Sequence, residues 1–102
     1  MNHFTAFTVA ITLGLCATAT QARDLGPDEA LRLRDAGTIQ SFEKLNAAAI
    51  GRHPGATVKE TELEESYGKH LYQVELRDAK GVEWDLELDA ATGEILKDHQ
   101  DT

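Results

Sequence analysis

VEWDLELDAATGEIL, Val82 to Leu96, is the stretch whose reading decides the fold. Val82, Trp84, Leu86 and Leu88 alternate with Glu83, Asp85, Glu87 and Asp89. Only an extended strand turns that period of two into one apolar and one charged side. The run closes on Asp89-Ala90-Ala91-Thr92-Gly93, a turn-forming sequence, and Glu94 to Lys97 reads as a short returning strand. Such a strand belongs to an antiparallel sheet with one dry face and one wet face. The four carboxylates are then a metal site, a catalytic pair or a solvated surface.

Upstream, HLYQVELR, His70 to Arg77, alternates in the same way, with Tyr72, Val74 and Leu76 on one side. Asp78-Ala79-Lys80-Gly81 joins the two strands as a hairpin whose glycine tolerates a positive φ. ATVKETELEE, Ala56 to Glu65, is the first strand, turning back through Ser66-Tyr67-Gly68-Lys69. Its two strong apolar residues, Val58 and Leu63, stand an odd number of residues apart, so they face opposite sides unless a β-bulge intervenes.

Two helices precede the sheet. Pro27-Asp28-Glu29 makes a first turn, since proline fits the opening position and carboxylates suit the positive helix end. Ala30, Leu31 and Leu33 supply a modest apolar stripe before Gly37 ends the segment. Ser41 caps the second helix, Phe42, Leu45, Ala49 and Ile50 recur at helical spacing, and Pro54-Gly55 stops it after Arg52 and His53. The tail from Asp98 onward is expected to fray. The fold class is therefore α+β: two short N-terminal helices packed on one face of a four-stranded antiparallel meander sheet.

The first 22 residues differ in kind from the rest. They contain no Asp, Glu, Lys or Arg, and an apolar run from Phe4 to Leu15 leads into small residues around Ala17 to Ala22. This predicts a secretory signal over residues 1–22 and a single domain over residues 23–102. A membrane anchor is disfavoured because Thr5, Thr8 and Thr12 interrupt a run already short of about 20 apolar residues. Cys16 sits after Leu15, where a lipid-attachment pattern wants a small residue, and it is the only cysteine. Beyond the leader there is thus no disulfide, zinc–thiolate site or thiol nucleophile. The expected location is periplasmic or secreted, without stable membrane insertion once the leader is removed.

All 18 acidic and 10 basic residues follow the leader, giving a net charge of −8. Such a surface repels phosphate backbones and speaks against nucleic acid as a partner. Asp85-x-Glu87-x-Asp89 opens like an EF-hand loop, but Ala90 stands where glycine is needed and Leu96 where the bidentate glutamate belongs. No nucleophile–histidine arrangement, phosphate-cradling loop or cofactor motif is present, so no catalytic residue, metal ligand or cofactor is assigned. His53, His70 and His99 are scattered and read as surface residues. Glu60, Glu62, Glu64 and Glu65 read as a charged guard on an edge strand, and Trp84 as the core's largest side chain.

YQVELRDAKGVEWDLELDAATGEIL resembles the PepSY domain, carried by Tyr72, Val74, Gly81, Trp84, Asp89, Ala90, Thr92, Gly93 and Leu96, with Pro54-Gly55 ahead of the first strand. The resemblance implies an α+β module found in propeptides of thermolysin-type metallopeptidases and in small exported proteins. It also implies restraint of a peptidase rather than catalysis. Asp89, Thr92 and Gly93 are read as fold determinants of the turn, not as an active site. The candidate partner-binding surface is the outer sheet face: Leu71, Gln73, Glu75, Glu83, Asp85 and Glu87. A second candidate is the free edge of the first strand, open to an extended peptide. A rival reading makes the same carboxylates a cation-binding or metal-stress accessory of the cell envelope.

Overall fold

The computed structural model describes residues 22–101. The expected leader, up to residue 21, and Cys16 lie outside the described residues. The elements run β1 (Arg23–Asp24), α1 (Pro27–Asp35), α2 (Phe42–Arg52), β2 (Thr57–Ser66), β3 (Lys69–Arg77), β4 (Glu83–Asp89) and β5 (Ile95–Gln100). The strands form one antiparallel sheet in the order β1-β2-β3-β4-β5. The four-stranded meander is present, with a two-residue strand added at its edge.

Alternation decides the layers. Tyr72, Val74 and Leu76 of β3 lie opposite Leu88, Leu86 and Trp84 of β4, and all but Trp84 are buried. Leu63 joins them from β2. The odd spacing of Val58 and Leu63 is absorbed by a register shift between Val58 and Glu60, which returns both residues to the inner face.

Helix α2 covers that face. Ser41 Oγ accepts a hydrogen bond from Lys44 N at 3.2 Å, satisfying one unpaired amide of the first turn. Leu45 and Ala49, one helical turn apart, are fully buried over the sheet. Full burial of a leucine contributes about 1.5–3 kcal/mol. Tyr72 Oη donates to Asn46 Oδ1 at 2.8 Å, so the one polar group this buried ring carries is satisfied at the helix. Helix α1 buries no residue and only leans Ala30 and Leu33 on the core. The cover is therefore mostly one helix, not two equal ones.

The tail does not fray. Asp98 lies on the inner face opposite Leu86, where an apolar residue would be expected. It is bound there by His53 Nε2 at 2.8 Å and Arg52 at 3.3 Å, at the C-terminal end of α2. His53 stacks on Trp84 with ring centroids 4.1 Å apart, and Trp84 Nε1 donates to Asp78 Oδ2 at 3.1 Å. His53 is thus a half-buried packing residue, and Trp84 is a half-buried bridge between helix, strand and hairpin rather than the core's centre.

The turn after β4 is closed locally. Asp89 Oδ1 accepts from Ala91 N at 2.9 Å and Thr92 N at 3.3 Å, and Thr92 Oγ1 accepts from Glu94 N at 3.1 Å. Gly93 adopts φ 84°, and a Cβ there would sit 3.0 Å from Gln40 Oε1. Gln40 itself ties the turn to the start of α2, donating through Nε2 to the Thr92 carbonyl at 3.0 Å. Gly93→Ala is expected to lower stability by about 1–2 kcal/mol, the left-handed penalty of an L side chain. A thermal melt showing no loss would contradict this account of the turn.

Candidate functional site

The outer face of the sheet is organised as rows across the strands. One row runs Glu60, Glu75, Asp85, His99, and the next runs Glu62, Gln73, Glu87, Lys97. In both rows the cationic or titratable nitrogen comes from β5 and the carboxylates from β2 to β4. Leu71 faces Asp89, and Arg77 faces Glu83, in the flanking rows. All six residues expected on this face, Leu71, Gln73, Glu75, Glu83, Asp85 and Glu87, lie on it, and each is half-buried.

The face is concave rather than flat. A groove of about 330 Å³ is lined by both rows, and the strands at Val74 and Leu86, whose side chains turn into the core, pass beneath it. Glu60, Glu62, Lys97 and His99 belong to it as well. The two glutamates were readable as a charged edge guard, and they serve as a groove wall instead. Lys97 was readable as part of the returning strand, whereas His99 was hidden by the expectation that the chain frays beyond Lys97.

Two electrostatic regimes share the surface. Glu83 is neutralised: Lys59 Nζ and an Arg77 guanidinium nitrogen both reach its Oε2 at 2.8 Å. Those hydrogen bonds hold its carboxyl down at about 2, below the ordinary 4.5. Glu75 shows the opposite behaviour. Its hydrogen bond with Glu83, its loss of water and the neighbouring negative charge push its carboxyl up. Asp85 is also raised, first by loss of water and then by Asp101. In the second row Gln73 Nε2 bridges Glu64 at 3.1 Å and Glu87 at 2.8 Å, an uncharged spacer between acids.

Glu75, Glu83 and Asp101 bring one carboxylate oxygen each within 4.8 Å of one another. The Glu83 corner of that cluster is already held by Lys59 and Arg77. The edge of β2 is less free than the sequence suggests, because β1 pairs with Glu64 and Glu65. Among the described residues, His99 is the one histidine on the outer face rows.

The signs of the shifts set the pH dependence. Glu83, depressed in the fold, adds stability above its unfolded value of 4.5 and loses it as pH falls toward about 2. Glu75, raised in the fold, removes stability as pH rises through its folded value. Glu75→Gln should therefore raise the melting temperature at about pH 7 and leave it unchanged at about pH 3, where the carboxyl is protonated in both states. A shift of equal size at both pH values would contradict an origin in the ionised Glu75 carboxylate.

Residues 39–99, more than half of the chain, match the family model for PepSY, described as the peptidase propeptide and YPEB domain. No curated protein and no solved structure matches.

Proposed function

The chain belongs to the PepSY family, and from that premise we propose that it is an exported, non-catalytic binding module that restrains a peptidase. In this reading residues 1–22 are a removable leader, and residues 23–102 act in the periplasm or outside the cell. Among the described residues no helix is long and apolar enough to cross a membrane.

The observation that carries the reading is the groove on the outer face. A row of directly opposed carboxylates is costly in an isolated sheet, because like charges facing one another destabilise the pair. Glu60, Glu75 and Asp85 stand in such a row, with His99 at its end and Lys59 acting on Glu75 from beside it, and the carboxyls of Glu75 and Asp85 are still raised. A basic segment of a partner laid along the groove relieves that repulsion. Charge complementarity of this kind sets encounter rate and orientation. The groove is open and its acids are reached by water, which suits recognition better than proton transfer in a dry pocket.

The test is inhibition of a thermolysin-type metallopeptidase by the purified chain. Asp85→Lys combined with Glu87→Lys should weaken binding by at least about tenfold, or 1.4 kcal/mol, while the melt stays within a few degrees. Unaltered binding in that variant removes the outer face from consideration. Absence of any complex with the parent chain overturns the peptidase reading.

The rival cation reading rests on Glu75, Glu83 and Asp101. It requires the melting temperature to climb with ligand concentration in millimolar calcium, zinc or copper. The proposal expects a flat series, since Glu83 is already engaged by Lys59 and Arg77.

A further inference from the structure

The family-matched region begins at residue 39, so β1 and α1 lie ahead of it. That N-terminal extension adds a fifth strand to the outer edge of β2. We propose that β1 is a displaceable internal ligand, and that the β2 edge beneath it is a docking groove for an extended peptide. The peptide that fits carries two successive basic residues followed by an aliphatic one. This edge adjoins the outer face, sharing Glu62 and Glu64 with it, but its main-chain pairing is its own, and the proposal stands whether or not that face binds a partner.

The strap shows by its own contacts what the edge accepts. Arg23 pairs with Glu65 and Asp24 with Glu64, and Leu25 N donates to the Leu63 carbonyl at 2.8 Å. Leu25 drops into the core beside Leu63 and is only 9% exposed. Arg23 reaches Glu65 at 2.9 Å and Glu29 at 3.4 Å. An aliphatic side chain and, two positions before it, a cation are therefore favourable on the inner side of this edge.

The middle position is the weak one. Asp24 is paired with Glu64, and its carboxylate acts on Glu62, pushing that carboxyl up. An acid placed among acids repels the strap from the edge it covers. A competing strand with lysine or arginine there replaces repulsion by attraction, while keeping the cation and the aliphatic anchor. The attachment behind the strap is also thin, since α1 buries no side chain. Extended peptides add to exposed sheet edges through main-chain hydrogen bonds, with alternate side chains setting specificity. Here the edge is already occupied by a short and imperfect version of such a peptide.

The test uses the full chain and a fluorescein-labelled peptide, Ala-Arg-Lys-Leu-Gly. Leu25→Ala loosens the strap and leaves the β2 edge unaltered, so it should bind the probe at least about tenfold more tightly than the parent. Asp24→Lys removes the internal repulsion, so it should melt higher and bind the probe at least about tenfold more weakly. Circular dichroism establishes that each variant is folded, and Asp24→Lys keeps the test decisive if Leu25→Ala is not. Amide signals of Leu63, Glu64 and Glu65 should shift on adding the probe, and a probe with glutamate in place of lysine should produce no shift. Equal affinity in all three proteins would overturn the proposal. So would shifts confined to Glu75, Asp85 and Glu87, which would place the probe on the outer face instead.

Discussion

Leu86 and Leu88 of β4, side by side with Val74 and Tyr72 of β3 and covered by Leu45 and Ala49 of α2, form the apolar seam on which the rest of the structure depends. Because side chains alternate along a strand, seating these leucines inward leaves Asp85 and Glu87 no position except the opposite face. A slip of one residue would bring the carboxylates beneath α2 and the leucines into water. The hydrophobic term that fixes the register therefore also fixes the chemistry of the outer surface. The acidic groove is a consequence of the core, and it is held as rigidly as the core is.

The acidic surface is not uniformly hostile to the fold. Lys59 and Arg77 converge on Glu83 at one end, and Gln73 separates Glu64 from Glu87 at the other. Between these two places Glu75 and Asp85 face each other, and both are raised although Lys59 and His99 act on them from nearby. The proposed binding of a basic partner draws on this unrelieved pair, since complementary charge steers encounter and fixes orientation. The same reasoning applies at the opposite edge, where Arg23 and Leu25 fit β2 and Asp24 does not.

Much of this architecture was legible because a period of two is a strong signal. β3 and β4 follow from alternation, α2 from Ser41 and its spaced apolar residues, and the bulge in β2 from the parity of Val58 and Leu63. What escaped has a common physical cause. β1 is two residues long and has no period to detect. The later part of β5 places Asp98 on the inner face, and the groups that satisfy it, Arg52 and His53, lie far upstream. Pairing across such a separation leaves no local pattern. Trp84 was read by size alone, whereas its indole N–H needs Asp78 and therefore keeps the ring near the surface. Membership of the outer face could be read residue by residue. Its concavity, and the inclusion of His99, depend on how the strands are assembled.

The central claim is that the wet side of this sheet works and the dry side only holds it in place. The most direct measurement is mapping of amide chemical shifts in the labelled chain during titration with a thermolysin-type metallopeptidase. The account predicts perturbation of Gln73, Glu75, Asp85, Glu87 and His99, with Asn46 and Ala49 of α2 unmoved. Perturbation confined to the helical side would contradict it.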